Sequence, residues 1–149
     1  MLTRMKSLIA VMIAFTMSAS AQSRATGAFD VKMTPQSEKD AAIGRFSIDK
    51  QLHGDLEGTS KAEMLALMTS VQGSAGYVAM EVVTAKLAGR SGTFALQHSG
   101  TMTRGAQSLT ITVVPDSGTG ELTGISGTMK IRIDESGKHF YDFEYALGK

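Results

Sequence analysis

Two side chains in this sequence are placed to handle protons. In the run Ala75–Ala88, the residues Tyr77, Ala79, Glu81, Val83, Ala85 and Leu87 share one strand face, and Glu81 is the only ionisable carboxylate among them. Turned inward, Glu81 enters a low dielectric that raises a carboxyl pKa, as a general acid or a ligand-anchoring carboxyl requires. The opposite face, Val78, Met80, Val82, Thr84 and Lys86, is also rather apolar, so a salt-bridged Glu81 on the outside stays equally open. In "SGTFALQHSGTMTRG", residues 91–105, His98 shares a face with Phe94, Leu96 and Met102, whereas Gln97 falls with Thr93, Ala95 and Ser99. Alternation therefore points His98 inward and Gln97 outward. An inward histidine serves as acid, base or ligand donor, but buried polar groups normally find structural partners, and that plainer role carries more weight.

Other constellations are weaker. His53, Asp55 and Glu57 alternate in "LHGDLEG", yet they interleave with Leu52 and Leu56 as the solvated face of a strand does, and no metal site is expected there. His139 reads as a strand-start residue. "VVPDSGTGELTG" has neither phosphate-loop spacing nor a lysine after its glycines, and it reads as a turn in which Asp116 and Ser117 bond their own backbone. Ser99 adjoins His98, but adjacent strand residues point to opposite faces and no Gly-x-Ser-x-Gly elbow occurs, which disfavours a serine hydrolase.

The elements that must position Glu81 and His98 begin after the first 21 residues. "MLTRMKSLIAVMIAFTMSASA" has a basic start at Arg4 and Lys6, an apolar stretch from Leu8 to Met17 and small residues at Ala19–Ala21. This is the pattern of a cleaved signal peptide, 1–21, ahead of a single domain, 22–149, in a secreted or periplasmic protein without a membrane anchor. The apolar stretch is about half of the roughly 20 residues that a spanning helix needs. The net charge is +1, and losing Arg4 and Lys6 turns it faintly negative; without a basic cluster, nucleic acid is not an expected partner. With no cysteine, the chain forms no disulfide, thiolate metal site or cysteine nucleophile, and no cofactor is expected.

Sixteen glycines punctuate short β-rich runs. The expected strands are Gly27–Met33, Arg45–Gly54, Glu63–Val71, Ala75–Ala88, Gly92–Met102, Gln107–Val114, Gly120–Ile133 and His139–Leu147. Within "SKAEMLALMTS", Ala62, Leu65, Ala66 and Met68 also fit a helical stripe, and strand is preferred there. The fold expected is all-β: one small, closed, antiparallel β-barrel of about eight strands, since closure removes exposed edges. The last run, "HFYDFEYAL", aligns His139, Tyr141, Phe143, Tyr145 and Leu147 on one face. An eight-stranded barrel is either filled by such side chains or holds one small ligand.

The stretches "GDLEG", "GSAGYVAMEVVTAKLAGRSGTFALQHSGTM", "VVPDSGTGELTGISGTM" and "KHFYDFEYAL" resemble a bacterial family of unknown function with an allene-oxide-cyclase-like, calycin-like β-barrel. A more distant likeness is to plant allene oxide cyclase, whose barrel closes a fatty-acid epoxide to a cyclopentenone. "IDKQLHGDLEG" is similar to one stretch of that enzyme, "GTGELTGISGTMKI" to its Gly-rich late strand and "KHFYDFEYAL" to its closing aromatic strand. This resemblance implies that Asp49 stands where the enzyme has a water-binding asparagine. The enzyme's N-terminal glutamate–asparagine pair is not matched: "GAFDVKMT" offers Asp30 and Lys32 instead.

These readings point first to a binding module that encloses a small apolar or amphipathic molecule, with Tyr77, Glu81, His98, Asp49 and Tyr141 as candidate ligand contacts. The alternatives are a cyclase or isomerase using Glu81 or His98, and a filled structural barrel. A homo-oligomer joined through the face of Val78, Met80 and Val82 is compatible with all three.

Overall fold

The computed structural model describes residues 22–148, so the expected signal peptide at 1–21 lies outside the described residues. Eight strands follow in order: β1 (Ser23–Pro35), β2 (Gly44–Gly54), β3 (Leu56–Met68), β4 (Ala75–Leu87), β5 (Arg90–Thr103), β6 (Ala106–Val113), β7 (Ser126–Ile133) and β8 (His139–Ala146). Each pairs antiparallel with its neighbour, and β1 closes on β8 from Ser23 opposite Tyr145 to Phe29 opposite His139. The all-β closed barrel expected from the glycine-spaced runs is the fold observed. Two of its hairpins turn on Ala88-Gly89 and Arg104-Gly105, where both residues have positive φ. That is the mirror-image turn whose twist suits adjoining strands.

Inward positions follow the period of two. On β4 every second residue from Ala79 to Leu87 is buried and the intervening ones are exposed, which turns Glu81 to the interior. The ambiguous stretch in β3 is strand: Ala62, Met64, Ala66 and Met68 share the inward register, and Leu65 and Leu67 are exposed on the outside. The interior ladder and its cross-strand partners override the helical propensity of alanine, leucine and methionine. β3 also starts seven residues earlier than Glu63, because Gly58 and Ser60, which read as turn formers, occupy inward positions between Leu56 and Ala62.

The expected single strand Gly120–Ile133 is corrected. Gly120 and Gly124 adopt positive φ, a short 3₁₀ turn forms at Gly120–Leu122, and β7 starts only at Ser126. The segment crosses the end of the barrel and buries Leu122 and Ile125 in the same core cluster as Phe94, Phe143, Leu56 and Leu87. It is tied down by Thr119 N–H donating to the Thr93 carbonyl at 2.8 Å and by Ala95 N–H donating to Ser117 Oγ at 3.0 Å. Gly92 allows the close approach, since a Cβ there would overlap the Thr119 carbonyl oxygen. The Phe94 and Phe143 rings stack with centroids 5.6 Å apart. One half of the barrel is thus a dry, filled core.

The other half is open. Between β6 and β7 a single register pair forms among the described residues, Thr112 with Thr128, near the filled end. Toward the mouth, Leu109 and Ile133 take inward positions but remain exposed.

Candidate functional site

Four consecutive strands each send one polar side chain to the boundary between the filled and open halves. They are Lys50 from β2, Ser60 from β3, Glu81 from β4 and His98 from β5. Register brings them together: Glu81 sits opposite Ala62 and His98 opposite Ala79, which puts Ser60 and His98 one diagonal step from Glu81, and Lys50 pairs directly with Ser60 one strand further on. Lys50 Nζ donates to Glu81 Oε2 at 2.8 Å, His98 Nε2 reaches the same oxygen at 2.8 Å, and Ser60 Oγ donates to Oε1 at 2.5 Å. Glu81 and His98 are 1% and 5% exposed. Lys50 Nζ also lies 5.0 Å from the centre of the Phe29 ring.

This geometry reverses one expectation. Burial does push the Glu81 carboxyl up, but the His98 hydrogen bond, the Lys50 charge and the Ser60 hydroxyl outweigh it and bring the pKa down to about 2. Glu81 is a carboxylate at neutral pH, not the general acid that an apolar setting suggested. A carboxylate only accepts, so His98 Nε2 carries a proton toward Glu81, and in the neutral ring Nδ1 is the acceptor. Every fully buried side-chain nitrogen and oxygen among the described residues has a partner, and Nδ1 has none among those residues, so it borders the open half.

That open half is a cavity of about 710 Å³ floored by Lys50, Glu81 and His98, with Ser60 bonded to Glu81 outside the lining. Its walls are mainly apolar and include Ile48, Ala62, Met64, Ala66, Tyr77 and Ile131. Tyr77 packs over Gly100, where a Cβ would overlap its ring. The phenol is pushed up in pKa by burial and then by the Glu81 charge, and stays a neutral hydroxyl. His139 stands at the mouth with its ring 5.1 Å from that of Phe29.

The sequence candidates divide between the cavity and other places. Tyr77, Glu81 and His98 meet there, with Gln97 exposed on the outside. Asp49 does not join them: alternation puts it on the outer face, 3.7 Å from Lys61, while its neighbour Lys50 turns inward. Tyr141 belongs to the filled half. Its hydroxyl accepts from Leu56 N–H at 2.8 Å and donates to the His53 carbonyl at 2.9 Å, which commits it to holding the β2–β3 connection. His53 pairs with Asp30 at 3.1 Å on the exposed surface, and Asp55 accepts from Thr26 N–H at 2.8 Å. Lys50 and Ser60 were missed. The available signal was a lysine sharing the face of Ile48 and Leu52, and a serine sharing that of Leu56 and Ala62.

The site and fold define a class: a closed eight-stranded barrel, plugged at one end, with a buried ion-pair cluster beneath an open apolar cavity. Residues 25–145 match DUF3224, a family described as protein of unknown function, and the chain belongs to it. It is also similar to the crystal structure of a DUF3224 protein of unknown function from Shewanella oneidensis, with 49% identity over 87% of this chain and 99% of that one and a TM-score of 0.81. No curated protein matches the chain.

Proposed function

We propose that the protein is a small-molecule binding barrel, exported to the periplasm or medium, that holds one apolar or amphipathic ligand in the mouth half of its interior. The observation that carries this is the cavity of about 710 Å³ with apolar walls and a polar floor, within the range that encloses small ligands. A filled barrel would have no such space. The leader pattern at 1–21 supports export, with a mature N-terminus at Gln22. The exposed strip of Leu65, Leu67, Val78, Met80 and Val82 on the outside of β3 and β4 supports self-association, which light scattering after gel filtration tests.

Binding is tested with the apolar dye N-phenyl-1-naphthylamine and with native mass spectrometry of protein purified from its own host. The expected result is saturable fluorescence enhancement that Ala66→Phe, which fills the cavity, reduces at least tenfold, together with a co-purifying adduct. Non-saturable dye binding that Ala66→Phe leaves unchanged, with no adduct, would overturn the reading.

A second reading has its own observation. The Glu81–His98 hydrogen bond leaves Nδ1 as a base facing the cavity, the arrangement that orients a histidine for proton transfer. In a cyclase or isomerase related in barrel type to allene oxide cyclase, His98 would move the proton and Lys50 would stabilise developing negative charge on oxygen. Glu81 would act as the positioning residue.

A further inference from the structure

We propose that the cavity floor selects a neutral hydrogen-bonding head group, a hydroxyl above all, on an apolar body, and rejects ionised amphiphiles of either sign. The proposal rests on the ligand-binding reading above and adds the chemical class of the ligand. It follows from the charges that the floor has already balanced. Lys50 and Glu81 form a 2.8 Å ion pair with both side chains almost fully buried, so the floor is electrically closed before any ligand arrives. Glu81 accepts from Lys50, His98 and Ser60, leaving little acceptor capacity for an incoming ammonium, which would also face the Lys50 charge. An incoming carboxylate would meet the Glu81 charge and a lysine whose counter-ion is already in place. Either ion would be desolvated without a free counter-charge, which is strongly disfavoured in an apolar cavity.

Besides Lys50, the cationic residue that borders the cavity among the described residues is Arg132, at the mouth, and its guanidinium is directed off the inner surface. Arg132 occupies an outward position on β7, with its guanidinium 4.3 Å over the Phe140 ring. The remaining titratable groups on the cavity wall are Tyr77, a neutral phenol, and His139 beside Phe29. Two complementary functions then stand side by side on the floor. Lys50 has N–H groups beyond the one given to Glu81, and Nδ1 of a neutral His98 ring accepts. A hydroxyl satisfies both, taking a hydrogen bond from Lys50 and giving one to His98, whereas a ketone uses only the first.

The test is displacement of N-phenyl-1-naphthylamine from the purified protein at pH 7.5 by 1-decanol, 2-decanone, decanoate and decylamine, which share a chain and differ in the head. The expected order is decanol, then decanone, with decanoate and decylamine at least tenfold weaker than decanol. Equal potency, preference for either ion, or bound dye that none of the four displaces overturns the head-group proposal and leaves the cavity reading intact. Failure of the dye itself to bind sinks both. Glu81→Gln tests the cause: it keeps the shape but leaves Lys50 without its counter-ion, so decanoate should gain at least tenfold relative to decanol. A folded Glu81→Gln protein that shows no such gain overturns the charge argument. If that variant does not fold, the wild-type order alone decides.

Discussion

Acidification should weaken this protein at the cavity floor, by an amount that Glu81 sets. Its carboxyl is held at about 2 against an ordinary 4.5. At roughly 1.4 kcal/mol for each pH unit between the two values, ionised Glu81 contributes on the order of 3 kcal/mol to folding. The side chain is almost fully buried, so bulk solvent screens little of this. Because the folded value lies below the unfolded one, the contribution is fully present above about pH 4.5 and is lost as pH falls toward 2. Glu81→Gln removes the titration and leaves the Lys50 ammonium buried without its partner, at a cost of about 3–5 kcal/mol near neutrality. The difference between wild type and variant should therefore shrink steadily between pH 4.5 and 2. Asp134 and Asp142 are also lowered by their partners, but they lie at the surface, apart from Glu81, and are present in both proteins, so they cancel in the difference. The chain has no tryptophan, and urea unfolding followed by far-ultraviolet circular dichroism gives the free energies. A wild-type-minus-variant difference that stays flat from pH 5 to 2 would refute the reasoning.

Three further outcomes follow from the two-part interior. Tyr141→Phe removes a hydroxyl bonded to Leu56 N–H and the His53 carbonyl, and should cost about 1–3 kcal/mol in urea unfolding while leaving dye affinity unchanged. Leu122→Ala, in the plug, should cost about 2–5 kcal/mol by the same measurement, since that side chain is completely buried. In hydrogen exchange read by mass spectrometry, the mouth ends of β6 and β7 should exchange well before β3 and β4, which pair continuously over thirteen positions from Leu56–Leu87 to Met68–Ala75. Equal protection along the barrel would contradict an open seam there.

What the sequence disclosed and what it concealed have separate physical causes. Strand number, barrel closure and the inward turn of His98 and Tyr77 follow from a period of two, which is local and survives translation into three dimensions. The plug was misread because "GELTGISGTM" keeps strand-like alternation while Gly120 and Gly124 break the backbone, and only the burial of Leu122 against β5 reveals why. The pKa of Glu81 was misjudged in direction because its sign depends on partners 17, 21 and 31 residues away, which no local pattern connects. Lys50 illustrates the same limit. A lysine in a strand reads as solvated until the register shows Ser60 beside it and Glu81 one step beyond.

The cluster's position bears on whether it serves stability or recognition. Burying an ion pair is often no better for stability than filling the same volume with apolar side chains. The filled half of this barrel follows that rule: its fully buried large side chains, among them Phe94, Phe143, Leu56, Leu87, Leu96, Ile111, Leu122 and Val83, are apolar. Lys50, Ser60, Glu81 and His98 depart from it together, and they do so where the packing stops and the cavity begins. Replacing all four at once, with Lys50→Met, Ser60→Ala, Glu81→Leu and His98→Leu, removes both charges and their polar partners, so no buried ion is stranded. The expected result is a protein within about 2 kcal/mol of wild-type stability, or above it, that still takes up N-phenyl-1-naphthylamine but no longer prefers decanol to decane. A loss of folding would assign the cluster to the scaffold, and a retained preference for the alcohol would place head-group recognition elsewhere in the cavity wall.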